Sequence, residues 1–476
     1  MDAPTNPVSQ TVLDRIAAVV GDNGLITDPA DIAPFVLDQR KYYEGRTPMV
    51  VRPANTEEVA EVVKICAETG TPIVPQGGNT GLCGGATPHD DNSEIILSLT
   101  RMNRIREIDA LNYTMTVEAG VILADIQKAA EEADRLFPLS LGAEGTARIG
   151  GNLSTNAGGT GVLHYGNARD LALGLEVVLP DGRIWDGLSS LRKDNTGYDI
   201  KHLFIGGEGT LGIITAAVLK LYPRPRDVQT AFAAVRDCSA AIEILARART
   251  ASGDRVMTFE WMARTGISFV LDHIPDTRDP LSQEWPEYLL IELSSGHDDG
   301  TLRETMETIL TDAMERGEVL DATIAESRAQ AKDFWKLRET IPEAQQIAGK
   351  GVKHDISIPV SQVPTFLERA NKAVAEAVPG VKICSFGHIG DGNVHYNLNQ
   401  PPEADGIAFM ARQEELNRIV HDIATDLRGS ISAEHGIGLL KRNELRHYKS
   451  PVTIDVMESI KRALDPKGIM NPGKIL

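Results

Sequence analysis

Two short stretches near the end of the chain place imidazoles and carboxylates at spacings suited to chemistry: His388-Ile-Gly-Asp-Gly-Asn-Val-His395 and Ser432-Ala-Glu434-His435-Gly436. Gly390-Asp391-Gly392 is a turn signal, so the chain can reverse there and bring His388 and His395 onto neighbouring strands. In the extended run Val394-His395-Tyr396-Asn397-Leu398 alternate residues share a face, which sets Asn397 beside His395. Adjacent Glu434 and His435 point in different directions, so one can ligate while the other stays available as a base. Two neutral imidazoles and one carboxylate with a coordination position left open form the ligand set of a catalytic zinc rather than a structural one. The plainer alternative is a group of hydrogen-bonded polar residues lining a turn.

The elements that must hold these groups belong to a large chain. At 476 residues it exceeds the usual growth limit of one core, which predicts two or three domains. No run approaches the roughly 18 apolar residues of a membrane span, so no span is expected. The start, Met-Asp-Ala-Pro-Thr-Asn-Pro, lacks the basic and apolar regions of a secretory signal, and the expected location is cytoplasmic. Cys66, Cys83, Cys238 and Cys384 are far apart and form no CxxC pair, which argues against a disulfide framework, a zinc knuckle or an iron-sulfur cluster. Redox chemistry in this chain therefore needs an organic cofactor. A formal net charge of -19 disfavours nucleic acid as a partner, and an acidic substrate needs a local basic pocket.

Thr56 to Gly70 reads as an amphipathic helix capped by Thr56, with Glu57 and Glu58 at its positive end and Gly70 terminating it. A strand at Pro72–Pro75 leads into Gln76-Gly77-Gly78-Asn79-Thr80-Gly81-Leu82-Cys83-Gly84-Gly85, a loop with few Cβ atoms to keep a ligand off the backbone. Further glycine clusters stand at Gly142 to Ala147, Gly150-Gly151-Asn152, Asn156 to Gly159 and Gly206 to Gly212; one large ligand lying along bare backbone accounts for all of them, while each alone could be a turn. Strand patterns at Ile95–Leu99, Thr114–Glu118, Leu173–Leu179 and Gly212–Leu221 predict a mixed sheet with flanking helices. Gly207-Glu-Gly209-Thr-Leu-Gly212 matches the dinucleotide pattern G-x-G-x-x-G, but a β-branched run follows it where that fingerprint requires a helix, which excludes a nicotinamide site. Pro223-Arg-Pro225-Arg226 marks a domain boundary, with alternating helices and strands beyond it.

With glycine loops and histidine clusters together, the chain resembles the vanillyl-alcohol oxidase and p-cresol methylhydroxylase superfamily of FAD enzymes, and within it the D-2-hydroxyacid dehydrogenases of the D-2-hydroxyglutarate and D-lactate type. The likeness runs from about Arg40 to the Asp465-Pro-Lys-Gly-Ile-Met-Asn471-Pro472-Gly473 ending. It implies an α+β protein: a two-part FAD-binding domain over residues 1–225, an α/β substrate (cap) domain over 226–425, and a C-terminal segment over 426–476 that returns to the cofactor. By the resemblance Gln76, Gly77, Gly78, Asn79, Thr80, Gly81 and Leu82 hold the FAD pyrophosphate, and Gly145, Thr146, Gly150, Asn152, Thr155, Asn156, Gly158, Ile213 and Asn471 line the rest. The link is non-covalent, because Asn79 and Thr80 occupy the loop where covalently linked relatives carry a histidine. His388, His395 and Glu434 become the metal ligands, His435 the base, and Arg338, Lys353 and Asn397 the substrate contacts. One departure stands out: four residues beyond Arg338, hydroxyglutarate dehydrogenases can carry a hydroxyl side chain, whereas this chain has Pro342.

The implied reaction is oxidation of a D-2-hydroxyacid to the 2-oxoacid, with D-2-hydroxyglutarate or a related diacid favoured by two cations. D-lactate or glycolate is the alternative, and passing electrons to oxygen would make the enzyme an oxidase. An alcohol titrates near about 16 and imidazole near about 6.5, too steep a gap for His435 alone, so a neighbouring metal, zinc by its donor set, is expected. The implied partners are a small hydroxyacid and an external electron acceptor (electron-transfer flavoprotein, quinone or dye), with a homodimer as the assembly. The rival class is a zinc hydrolase in which the glycine loops are merely structural.

Overall fold

The computed structural model describes residues 7–476, so all but the last residue of the start read for targeting signals lies outside the described residues. The chain forms two compact units: unit one is the chain up to Gly158 together with Gly166–Arg224 and Glu434–Leu476, and unit two is Gly159–Tyr165 with Pro225–Ala433. The first break falls within the proline cluster. The second lies at Ala433/Glu434 rather than at 425/426, because the intervening residues stay tied to unit two: Ser430 and Ser357 exchange backbone hydrogen bonds at 2.8 and 3.1 Å, and the Ala433 amide donates to the Asp355 carbonyl at 3.2 Å. The excursion Gly159–Tyr165 has no signature in composition; a Cβ placed on Gly390 would come within 2.7 Å of Leu163, which shows how closely this segment packs on unit two.

Unit one contains two main sheets rather than the single mixed sheet expected. The first runs in the order Leu25–Ile26, Val50–Val51, Ile95–Ser98, Ile73–Gln76, with the last three parallel. The helix Thr56–Thr69 is capped by Asn55, not Thr56: the Asn55 side chain accepts from the Glu58 amide at 2.8 Å, while the Thr56 hydroxyl donates to Glu176 Oε1 at 2.6 Å. Gly70 ends it in the left-handed region with φ 69°. The second sheet is antiparallel throughout, in the order Ile105–Asp109, Thr114–Glu118, Ile213–Lys220, Ala172–Val178, Ile184–Gly187. A strand thus follows Gly212, and the dinucleotide match before it has no helix to open.

Unit two is built on an antiparallel sheet in the order Val319–Ile324, Asp227–Val235, Glu287–Ser295, Val256–Ala263, Lys382–Gly387, Asn393–Asn399, Gly351–Val352, with Ile356–Ser357 also paired to Asn393–Asn399. Helices such as Cys238–Ser252, Arg328–Glu339 and Val363–Ala377 bury apolar residues against it. Phe259, Trp261, Phe366 and Tyr396 are among the fully or almost fully buried side chains, so the central strands sit in a rigid, dense core. Among the described residues no helix is long and apolar enough to cross a membrane.

Candidate active site

Lys382–Gly387 and Asn393–Asn399 form the hairpin that the Gly-Asp-Gly signal predicts, with Gly392 at φ 84°. His388 is the first residue of the turn rather than part of a strand, and His395 lies in the second strand opposite Phe386. The two imidazole rings still converge, with centroids 5.7 Å apart and edge-on. Asn397 follows His395 on the same face, opposite Cys384.

What the sequence reading missed is Glu260. It sits in the middle of the strand Val256–Ala263, which adjoins the hairpin, and is fully buried. Its Oε1 lies 2.6 Å from His388 Nδ1 and its Oε2 lies 2.7 Å from Arg338 Nε, so one carboxylate joins two predicted site residues. Burial alone raises a carboxyl's pKa, but the His388 and Arg338 charges and their hydrogen bonds overcome it and bring Glu260 down to about 2. A carboxylate on Nδ1 fixes the imidazole tautomer so that the nitrogen suited to ligation is Nε2, a common support for metal-binding histidines. Arg338, buried on the helix Arg328–Glu339, also lies over the Phe386 ring at 4.8 Å, and its bond to Glu260 does not use the two terminal nitrogens. The signal for Glu260 was present in the sequence: it is the lone charge in the apolar run Val256-Met-Thr-Phe-Glu-Trp-Met-Ala263.

Asp355 is the second omission. Buried, it takes a hydrogen bond from Asn393 Nδ2 at 3.0 Å and stands 3.9 Å from His395 Nδ1. Lys353 is half-buried just past the short strand Gly351–Val352, not within it. Asn397 is buried and braced: its Oδ1 accepts from the His354 amide at 3.1 Å and its Nδ2 donates to Gln345 Oε1 at 2.9 Å. Pro342 is in the first turn of the helix Ile341–Ile347, where a missing N–H costs nothing, which explains why the position tolerates proline.

Glu434 and His435 open unit one's last segment, one residue after Ala433. Glu434 Oε1 and His435 Nε2 approach to 3.8 Å, so the two side chains turn toward a common region rather than apart.

The glycine clusters of unit one separate into two kinds. At Gly81, Gly145 and Gly151 an added Cβ would meet nothing within 4 Å, so the protein's own packing does not require glycine there. At Gly78 and Gly150 it would meet Thr146 O at 2.2 Å and Ala119 Cβ at 2.7 Å. Gly150 therefore serves packing, and the run around it is no loop but the helix Ile149–Ser154 seated on Ala119. Gly77 lies against this helix, 3.6 Å from the Gly151 amide nitrogen once a Cβ is added. Several predicted contacts are braces: Asn79 Nδ2 donates to Pro34 and Leu37 carbonyls, Asn156 Oδ1 accepts from the Arg169 amide, and Thr155 Oγ1 donates to Gly151 O. Ile213 is buried at the start of its strand. Buried polar atoms remain that no protein group reaches: Gln76 Oε1, Arg148 Nε, Asn152 Oδ1 and Asn471 Oδ1. Open glycine surface with orphaned polar atoms in the same segments fits a flat ligand with a polar edge, such as a flavin nucleotide.

Residues 47–187 match an FAD binding domain and residues 224–475 match the C-terminal domain of FAD linked oxidases. The chain belongs to the FAD-linked oxidases. This FAD-linked oxidase is similar to a mitochondrial D-2-hydroxyglutarate dehydrogenase of Arabidopsis thaliana, 38% identical over 458 residues that cover 96% of this chain and 80% of the relative. It is similar to a putative mitochondrial D-lactate dehydrogenase of Schizosaccharomyces pombe, 36% identical over 480 residues that cover 98% and 89%. Its fold is that of p-cresol methylhydroxylase solved with substrate bound, at a TM-score of 0.76 over 99% of this chain and 98% of that one, with 16% identity. The chain thus groups with the FAD-dependent D-2-hydroxyacid dehydrogenases, and the hydrolase alternative falls, since an FAD-linked oxidase has a use for its glycine cradle.

The expectation that FAD is held without a covalent bond can be tested. Acid precipitation of the yellow protein will release all of its flavin into the supernatant. Colour retained by the denatured chain would contradict this and direct attention to Cys83 and His89, which in the fold are engaged with the Gly436 carbonyl and with Glu94.

Proposed function

We propose that this FAD-linked oxidase converts a D-2-hydroxy diacid of the 2-hydroxyglutarate class to its 2-oxoacid, assisted by a divalent metal, zinc by its donor set, at His388, His395 and Glu434. The observation that carries the reading is Glu260, one buried carboxylate that fixes both the His388 imidazole and the Arg338 guanidinium. A charged group this deep is costly unless it is put to use, and here it orders a ligand and a cation together. FAD, proposed to lie along Gln76–Leu82 and Gly145–Gly158 with Ile213 and Asn471, supplies when bound the acceptor for the hydride leaving C2. A divalent cation supplies positive charge that lowers the pKa of the substrate hydroxyl.

The chain's own residues do the rest. Arg338 holds a substrate carboxylate through its terminal nitrogens, kept in place by Glu260 on Nε, and Lys353 contributes a second cation in a protein whose overall charge repels acids. Asn397, held by Gln345 and the His354 amide, offers its remaining amide hydrogen to the substrate. His435 takes the hydroxyl proton on a ring nitrogen, and Asp355, 3.9 Å from His395 Nδ1, adds negative charge beside that imidazole. An external acceptor, electron-transfer flavoprotein, quinone or dye, reoxidises the enzyme; a homodimer and a cytoplasmic location complete the proposal, although both relatives described above are named as mitochondrial proteins.

Pro342 favours a second reading, D-lactate or glycolate as substrate, because it offers no donor to a distal carboxylate. Steady-state kinetics on one preparation separate the two. A genuine diacid clamp is worth about 2 to 5 kcal/mol, so kcat/KM for D-2-hydroxyglutarate or D-malate will exceed that for D-lactate by at least about thirtyfold. Arg338→Ala will cost the diacid more than the monoacid. A preference for D-lactate, or equal loss for both, would mean that Arg338 holds only the carboxylate beside the reacting carbon.

A further inference from the structure

None of the residues of Gly206-Gly207-Glu208-Gly209, inside the discarded dinucleotide match, carries an individual cofactor or substrate role above. In the fold Glu208 is a non-glycine residue in the left-handed region, at φ 48°, a conformation retained only where surroundings over-determine it. Its surroundings are specific. The carboxylate accepts from the Ile437 amide through Oε1 at 2.7 Å and from the Gly438 amide through Oε2 at 2.8 Å. Its backbone amide donates to Ser154 O at 2.8 Å, and its carbonyl accepts from Asn471 Nδ2 at 2.8 Å. A Cβ on Gly436 would come within 2.8 Å of Glu208 Oε1, and one on Gly85 within 3.3 Å of Oε2, so both neighbours are bare where the carboxylate passes. Gly438, at φ 52°, is closed in from the other side by Cys83 O, only 2.2 Å from an added Cβ.

One residue is therefore bonded to the end of the helix Ile149–Ser154, to Asn471 and to the backbone that directly follows Glu434-His435. We propose that Glu208 is a positioning residue that sets the register of the Glu434–Gly438 loop, and so of the base His435, against the cofactor-holding segments of unit one. The inference rests on the proposed roles of His435 and Glu434. Both carboxylate oxygens are in use, so an amide is not an equivalent: in Glu208→Gln one amide hydrogen bond survives while the side-chain NH2 faces a backbone N–H, donor against donor.

The test is a double-mutant cycle on holoenzyme, with Glu208→Gln, His435→Ala and the double variant assayed for D-2-hydroxyacid oxidation with a dye acceptor, alongside flavin content and Tm. A misplacement of the order of 1 Å costs about a hundredfold in rate, so Glu208→Gln will lower kcat by about that factor with flavin content and KM close to wild type. In the His435→Ala background the same change will cost less than about threefold, because Glu208 acts through His435. A merely structural role predicts losses that multiply, or lost flavin and Tm, and either would overturn the proposal. An active His435→Ala enzyme would instead remove the assigned base, separating that failure from this one. If Glu208→Gln does not fold, hydrogen exchange on the wild-type holoenzyme decides: the Ile437 and Gly438 amides are expected to be protected, and exchange at the rate of an open loop would contradict the bonds.

Discussion

Chelation of the proposed divalent metal will abolish turnover of D-2-hydroxyacids while leaving the flavin bound. The reason is the proton: an imidazole cannot draw it from a free alcohol, and a metal supplies several kcal/mol of charge stabilisation, at about 1.4 kcal/mol for each factor of ten in rate, so the loss will be about a thousandfold or more. The proposed cofactor residues lie in unit one, as does Glu434, whereas His388 and His395 belong to unit two, so loss of the metal is expected to leave the flavin in place. Re-addition of zinc will restore activity, and His388→Ala will neither hold the metal nor respond to it. Full turnover in a preparation shown to be metal-free would remove the metal from the mechanism.

Glu260→Gln has the second largest expected effect, on two quantities at once. The isosteric amide keeps the shape but removes the charge that offsets Arg338 in a buried site. Breaking a buried pair by removing one partner costs about 3 to 5 kcal/mol, visible as a lower Tm and urea midpoint. The same change leaves His388 Nδ1 without its carboxylate, and metal affinity will fall about 10- to 100-fold, as it does when such outer partners are lost elsewhere. Metal content and denaturation are measured on the same samples; a variant with unchanged metal affinity would mean that the Glu260–His388 contact plays no part in ligation.

Much of the site was legible because chemistry-bearing residues came with local punctuation. Gly390-Asp391-Gly392 predicted the hairpin, and alternation along Val394–Leu398 put His395 and Asn397 on one face. The strand after Gly212 was readable from β-branching, which disposed of a nicotinamide site. Tertiary facts were not legible. Glu260 and His388 are 128 positions apart and meet only because the strand Val256–Ala263 pairs with Lys382–Gly387. That Gly150 lies in a helix packed on Ala119 was not legible, since a glycine carries no label saying which neighbour needs its missing Cβ. Asn55 outcompeted Thr56 as a cap because Glu176, from a distant strand, occupies the Thr56 hydroxyl. The excursion Gly159–Tyr165 and the late break at Ala433 are likewise fixed by contacts rather than composition.

The most direct test of the whole account is to mix the purified yellow protein with D-2-hydroxyglutarate in the absence of oxygen and follow the flavin's visible absorbance. The account predicts rapid bleaching with the D enantiomer, none with the L enantiomer, and none after the metal has been stripped. Colour that persists with D-2-hydroxyglutarate, D-malate and D-lactate alike, or that bleaches equally with either enantiomer, would contradict it.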